Sequence, residues 1–365
     1  MTAYRVSVSE ELIGADARCE SSTAFTKALA AIDSIASAAQ RMEGAGVTRS
    51  DVDRLAQVGL LTAGRGPWTS AQLRETHEQL AAASGSLWFV VTQHRSPADA
   101  AASTNNPELR ERFAAGLADG SLLGAVSFAH LRRAHPTVVA TRAGSGWQIS
   151  GRLDWITSWG LADVLLLMAE TDSGEVVQVL LPATERAGLT ITGPLALAAM
   201  SGTSTVGASL DALQVADSEV AAVLAKSEWL SVDRQRTANT PPAVIGLARA
   251  AINSVLTLAG DRSWREALDL GRRWRDELRI ARARAYELVD DVDAAESLEE
   301  RLVLRGRVTK LAQDATAMAV AVHAGRVMLA SSAEQRWARE AMFALVQAQT
   351  PATRNALIAT YCTTD

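Results

Sequence analysis

Three regimes of apolar spacing divide the 365-residue chain. Up to residue 120, apolar side chains recur every three or four positions. Phe25, Leu29, Ile32, Ile35 and Ala38 form a stripe that predicts a helix over 24–42. Thr48 or Ser50 can cap a second helix over 51–61, which Gly64 and Gly66-Pro67 end. A third covers 70–83. Ser84-Gly85-Ser86 opens a fourth, with Leu87, Phe89, Val90 and Val91 turned inward and His94 closing its apolar part. Asn106-Pro107 opens a short helix over 108–117. From 121 to 217 the period falls to two. Val126, Val138-Val139, 146–158, 164–168, 176–181, 189–191 and 204–215 read as strands separated by Gly, Ser, Asp and Pro, and six to eight such strands predict a β-barrel or sandwich. From 218 the pattern is helical again: an apolar stretch 245–259 after Pro241-Pro242, which can start or kink a helix, then 264–292, 297–330, 333–347 and a tail after Pro351. Long, alanine-rich and antiparallel, these predict a four-helix bundle. The predicted fold class is α+β, mostly α. Its domains are an N-terminal helical domain (1–120), a middle β-domain (121–217) and a C-terminal helical bundle (218–365).

Composition narrows the function classes. Hydrophobic residues make up 48% and charged residues 21%, as in ordinary globular chains. A net charge of −5 lacks the footprint of a nucleic-acid binder. The arginine-rich run 272–284 is interleaved with Asp276 and Glu277 and is followed by Glu287, which reads as a solvated helix face or subunit contact. Two cysteines, Cys19 and Cys362, offer neither a disulfide framework nor a metal site. No signal peptide and no bilayer-length apolar run is evident. The expectation is a cytoplasmic enzyme or binding protein with no membrane, metal or nucleic-acid partner.

The densest signal lies at 146–163. Trp147 and Ile149 alternate with Gln148 and Ser150, and Gly151 is expected to break this strand. Leu153, Trp155 and Thr157 line one face of a following strand, and Ala162-Asp163 precedes the apolar run 164–169. A second string, Met200-Ser201-Gly202-Thr203-Ser204-Thr205-Val206, leads into another strand, and Gly246-Leu247-Ala248 sits in the first apolar bundle helix.

These strings, in a helical, β, helical order, resemble the acyl-CoA dehydrogenase superfamily. The resemblance implies a flavin slot between the β-domain and the bundle. Trp155, Ile156 and Thr157 would lie against the isoalloxazine ring, with the Thr157 hydroxyl donating to N5, and Val126-Ser127 would face the pyrimidine edge. Departures bear on the reaction. The family's Gly-Ser-Asp pyrophosphate loop is replaced by Phe128-Ala129-His130-Leu131-Arg132-Arg133-Ala134-His135-Pro136, where Arg132, Arg133 or His135 can offer charge to a phosphate. The Arg-x-x-Phe-Gly segment is replaced by Asp261-Arg262-Ser263-Trp264-Arg265. A single glycine, Gly325, stands where a Gly-Gly turn is expected, and Gln347 or Ala348 falls where a catalytic carboxylate belongs. Glu228 and Asp233 are the candidates for a displaced base.

The chain is closest in character to the family's monooxygenase branch, which resembles dibenzothiophene monooxygenase. That branch implies a reduced-flavin/O2 oxidoreductase acting on a small apolar substrate. His94 and His323 would be its acid–base groups, and a separate flavin reductase its partner. The cofactor would be FMN or FAD, or a loosely bound reduced flavin. Two alternatives stand beside this: an acyl-CoA dehydrogenase with a displaced base, and a flavin-free homologue acting as a subunit or binding protein. The resemblance also implies a homodimer or homotetramer.

Overall fold

The segment Val164–Glu170 is buried along its whole length, and one sheet is built around it. The structure is a computed structural model describing residues 12–16, 18–62, 66 and 68–362, so the expected stops at Gly64 and Pro67 lie outside the described residues. The strands are β1 (Gly124–Ser127), β2 (Val138–Ala143), β3 (Gly146–Ile156), β4 (Val164–Glu170), β5 (Glu175–Pro182), β6 (Leu189–Pro194), β7 (Val206–Ala216) and β8 (Val220–Ala225). They run in the order β6-β7-β3-β2-β4-β5-β8, with β1 parallel to β4 and off this path. The chain divides into two compact units, a sheet unit (Ser21–Leu73, Ala83–Asp233) and a bundle unit (Met1–Glu20, Arg74–Ala82, Arg234–Asp365).

In the sheet unit, alternate residues of β4 serve two cores. Leu165, Leu167 and Ala169 join Ile149, Leu153, Ile156 and Leu213 inside the curled sheet. Val164, Leu166 and Met168 pack with Leu109, Phe113 and Leu117 under a helical layer. A strand with both faces covered reads as an unbroken apolar run, as 164–169 does. The helices of the unit are α1 (Thr23–Ala36), α2 (Ala39–Ala45), α3 (Arg49–Gln57), the ends of α4 (Ser70–Ala83), α5 (Gly85–Ser103), α6 (Pro107–Leu109) and α7 (Ala115–Asp119), with one π turn at Arg110–Ala114. Asp163, the acid of the Ala-Asp pair, accepts from the Leu123 N–H and from Arg49, both at 2.7 Å. That clamp sets β1 in register with β4. Both edge strands carry side-chain partners. Thr104 Oγ1 donates to the Ala221 carbonyl at 2.7 Å, Asn106 Nδ2 donates to Val220 at 3.2 Å, and Glu185 accepts from the Ile191 N–H at 2.9 Å.

The bundle unit holds part of α8 (Lys226–Ala238) and all of α9 (Pro242–Arg262), α10 (Arg265–Asp291), α11 (Leu298–His323), α12 (Ala333–Ala344) and α13 (Pro351–Cys362). Its core joins Ile252, Val255 and Leu256 of α9 to Leu278 and Leu288 of α10 and to Val308 and Ala315 of α11. Gly246 is where the Arg74–Ala82 stretch of α4 meets α9, because a Cβ there would collide with the Glu78 carbonyl oxygen. Beside it, Glu75 and Glu78 are fully buried. Arg249 donates to Glu75 at 2.6 Å, Arg282 bridges both carboxylates, and the Tyr286 hydroxyl donates to Glu78 at 2.5 Å. Burial opposes ionisation of Glu75, and Arg249, Gln79 and Arg282 more than offset it, holding its carboxyl below the usual range. Arg301 is also buried and caps the end of α10 through the Leu288 and Val292 carbonyls.

Several expectations are corrected. Gly151 does not end its strand: β3 runs unbroken, with a bulge between Ile149 and Gly151 where φ is +139°. The helix expected over 24–42 divides after Ala36, where Ser34 and Ser37 turn their hydroxyls back onto the Ala31 and Ser34 carbonyls. Gly59, at φ +85°, follows the end of α3. The strand-rich stretch continues past 217, since Val220–Ala225 pairs with β5 although its alanines favour helix. The helix expected to reach 330 ends at His323 in a 3₁₀ turn. The stretch Lys226–Arg262 does contain a window long and apolar enough, by composition, to cross a membrane, but 61% of that window is buried inside the fold.

Arg282→Met leaves two buried carboxylates with one guanidinium fewer. The expected loss is about 3–5 kcal/mol, read from urea unfolding followed by circular dichroism. A loss below about 1 kcal/mol would contradict this account of the cluster.

Candidate functional site

The candidate ring contacts meet where β1 and β3 end, in the sheet unit. Ser127 closes β1, and its Oγ donates a long 3.4 Å bond to the Trp155 carbonyl. Trp155 stands 52% exposed, while its neighbour Ile156 points into the sheet core. Val126 faces the helical layer, packed with Leu109 and Phe113. Of the five residues expected against a ring, Ser127, Trp155 and Thr157 therefore lie together with polar or aromatic groups to offer, and Val126 and Ile156 are core.

Thr157 has a more specific environment. Its Oγ1 lies 3.1 Å from Thr205 Oγ1, which lies 2.7 Å from Thr203 Oγ1, which donates to the Met200 carbonyl at 2.8 Å. Each hydroxyl carries one proton. A single assignment satisfies all three contacts: Thr157 donates to Thr205, Thr205 to Thr203, and Thr203 to the carbonyl. The Thr157 hydroxyl can therefore accept a further hydrogen bond but not donate one while this relay is intact, which corrects the expectation that it donates to N5. The string 200–205 was legible as a motif, yet its part in directing a proton was not. Gly202 in the same string has no room for a Cβ against the Met42 carbonyl, which lets α2 close on this turn. Ser158, next in line, sits at φ +71° with a buried hydroxyl that has no partner among the described residues.

The residues proposed to hold a phosphate are already neutralised. Arg132 makes two 2.8 Å bonds to Asp233, and Arg133 is paired with Asp154. His130 is buried and hydrogen-bonded to the Met168 carbonyl, and His135 is exposed. Asp233 is thereby committed to Arg132, and Glu228 is exposed on α8. Ser127, Trp155 and Thr157 thus offer an aromatic face and hydroxyls in this unit, and both arginines of the segment 128–136 are already paired with aspartates.

The two candidate histidines lie in different units. His94 is buried, with Nδ1 accepting from the Gly124 N–H at 3.0 Å and Nε2 donating to the Leu117 and Leu61 carbonyls at 2.9 and 3.1 Å. Proton exchange there requires breaking one of these bonds. Burial holds the His94 imidazole below its ordinary value, as it does His130. His323 is more open: Nδ1 donates to the Ala319 carbonyl at 2.9 Å and Nε2 stands 3.5 Å from Glu334. Among the described residues no group of three or more His, Cys, Asp or Glu side chains is placed to hold a metal ion.

No family model matches the chain, and no curated protein sequence does. Solved structures do. A glutaryl-CoA dehydrogenase from Mycobacterium smegmatis in complex with FADH2 superposes with a TM-score of 0.77 at 16% identity, over 93% of this chain and 95% of that one. The fold is that of the acyl-CoA dehydrogenases. An acyl-CoA dehydrogenase from Geobacillus kaustophilus gives 0.75 at 17%, over 96% and 100%. FkbI, described for biosynthesis of the methoxymalonyl extender unit of a polyketide immunosuppressant, gives 0.71 at 18%, over 92% and 99%. Identities this low establish the acyl-CoA dehydrogenase fold and nothing finer.

Both buried histidines bind their protons less readily in the folded chain than the ordinary value of about 6.5 allows. Below that pH the unfolded chain takes up protons first. The contribution of these histidines to folding stability is therefore fully present well above pH 6.5 and is lost as the pH falls, by up to about 1.4 kcal/mol per pH unit for each histidine. His94→Gln keeps a donor and an acceptor but does not titrate. Its urea midpoint is expected to fall less steeply than the wild type's between neutral and mildly acidic pH. Identical slopes would contradict the assignment.

Proposed function

We propose that the chain is a flavin-dependent oxidoreductase working with reduced flavin and O2, a monooxygenase acting on a small apolar substrate. The observation that carries this reading is the proton commitment of Thr157 to Thr205. By resemblance Thr157 faces the flavin N5. Reduced flavin bears a hydrogen on N5, whereas the oxidised ring presents a lone pair there. A hydroxyl restricted to accepting favours the reduced ring, by about 0.5–1.5 kcal/mol for one hydrogen bond. Trp155 offers that ring an aromatic face, and Ser127 a hydroxyl whose present bond is long enough to yield. The bound cofactor would supply the electrons that activate O2.

The carboxylates support this reading over thioester dehydrogenation, which needs one free to take an α-proton. Asp233 is held by Arg132, Glu228 is exposed, and Gln347 and Ala348 carry no acid. The acid–base candidates remain His94, whose ring nitrogens are hydrogen-bonded to backbone groups, and His323, whose Nε2 stands 3.5 Å from Glu334. The neutralised arginines favour a flavin held by its ring: FMN, or a reduced flavin delivered by a separate reductase. A second reading, a flavin-free relative serving as a subunit or binding protein, draws on the same locked hydroxyl and paired arginines.

Anaerobic titration with reduced and oxidised FMN and FAD, read by quenching of tryptophan fluorescence, separates these readings. Reduced flavin is expected to bind about two- to tenfold more tightly than oxidised flavin. Thr205→Val frees the Thr157 proton and is expected to erase that preference. No quenching by either redox state of either flavin, together with no effect on flavin reoxidation, would overturn the reading in favour of the flavin-free one. Bleaching of a bound oxidised flavin by acyl-CoA thioesters would restore the dehydrogenase.

A further inference from the structure

A row of three hydroxyls has two possible proton orders. Thr157 can donate to Thr205, Thr205 to Thr203 and Thr203 to the Met200 carbonyl, or every proton can turn the other way and leave Thr157 donating outward. Within the chain the first order has one hydrogen bond more, the one onto the Met200 carbonyl. Whatever holds that carbonyl in place therefore chooses the direction. Met200 and Ser204 flank the turn Ser201–Thr203 in the left-handed region, at φ +58° and +49°. Neither is glycine, so the turn stands only where its surroundings fix it. Its far end is tied to the site by backbone: the Ser158 N–H donates to the Thr203 carbonyl and the Trp159 N–H to the Ser204 carbonyl, both at 3.0 Å. Its middle is tied to the chain just after α2, where the Val47 N–H donates to the Gly202 carbonyl at 2.9 Å. Its near end, beside Met200, is tied through Glu43 of α2. The Ser201 hydroxyl donates to Glu43, 2.9 Å from the backbone carbonyl oxygen and 3.0 Å from Oε2.

We infer that Glu43 is the positioning residue of this relay. It holds the Met200 carbonyl as the terminal acceptor and so keeps Thr157 an acceptor toward whatever lies beside Trp155. Its carboxylate is fixed from a second direction as well. Ser86, fully buried in the first turn of α5, donates to Glu43 Oε1. The N-terminal end of a helix also favours a negative charge placed there. One side chain of α2 thus joins the start of α5 to the turn that ends the relay. Without that carboxylate the Ser201 hydroxyl keeps only a backbone acceptor, and the left-handed Met200 can relax. Thr203 then turns its proton to Thr205, the relay runs outward, and Thr157 presents a proton. Glu43 is not bonded to any of the three threonines through its side chain; it acts on them through Ser201 and the turn. Its bearing on a flavin rests on the function proposed above, whereas its hold on the relay needs no flavin.

Two measurements test this. Threonine-methyl NMR of the flavin-free protein reads the relay itself. Glu43→Ala is expected to shift the Thr203 and Thr205 methyl signals, and Glu43→Gln, whose amide can still bond both serines, to leave them near the wild type's. Ser201→Ala removes the same tie from the other side and is expected to repeat Glu43→Ala, which keeps the test open if the latter folds poorly. Anaerobic titration with reduced and oxidised FMN reads the consequence. The preference for reduced FMN is expected to fall from about two- to tenfold in the wild type to none in Glu43→Ala, and to persist in Glu43→Gln. In a Thr205→Val background, Glu43→Ala is expected to change it no further. If the methyl signals shift but no variant binds FMN in either state, the positioning role stands and the proposed function falls. The positioning role is overturned if Glu43→Ala and Ser201→Ala leave the methyl signals in place or keep the wild-type preference. It is overturned equally if Glu43→Gln loses as much as Glu43→Ala, since charge would then be the cause, or if the two changes add in the Thr205→Val background.

Discussion

A strand buried on both faces must be covered twice, and that requirement shapes the sheet unit. β4 cannot sit at a surface, because all seven of its residues, Val164–Glu170, are buried. The curled sheet supplies one cover and α5 to α7 the other. Between them β1 enters parallel, held at its start by Asp163. Its end then brings Ser127 to Trp155. The candidate ring wall is thus a consequence of how β4 is buried. Substitutions that loosen either cover should disturb the wall without touching it.

Much of this could be read from residues alone. Periodicity separated helical from strand-rich stretches, and the Gly-Trp and Met-Ser-Gly strings announced the fold at identities where no family model responds. Failures came where tertiary contacts outweigh local preference. Val220–Ala225 looks helical because alanine and leucine favour helices, but pairing with β5 makes it a strand. Gly151 looks like a break because glycine usually ends a strand, but here it bulges one. The site followed the same division. Residue types placed Ser127, Trp155 and Thr157 together, since their positions near strand ends set where they point. They could not show that Val126 and Ile156 would be spent on packing.

Nor could residue types show where protons go. Three threonines within a motif are interchangeable as letters, and only the distances between their oxygens show that each donates to the next. The paired arginines teach the same lesson. Arg132 and Arg133 looked like counter-charges awaiting a phosphate. Their carboxylates come from Asp233, 101 residues along the chain from Arg132, and from Asp154, 21 residues from Arg133, and no local pattern reveals such partners. A motif therefore reports which atoms are available, and its hydrogen bonds report which are already committed.

The side chains along the outer strands have a consequence for how copies of the chain can meet. An open strand edge invites another strand to continue the ladder, and that route leads to aggregates as readily as to ordered assemblies. Here a threonine and an asparagine occupy carbonyls of β8, and a glutamate occupies an amide of β6, whose last residue, Pro194, has no amide hydrogen to give. Neither margin offers a clean template. Side-chain partners at β6 and β8 make these strands poorer templates for another strand, so a meeting of copies through helix faces, which select partners by shape and charge, competes more favourably with strand addition.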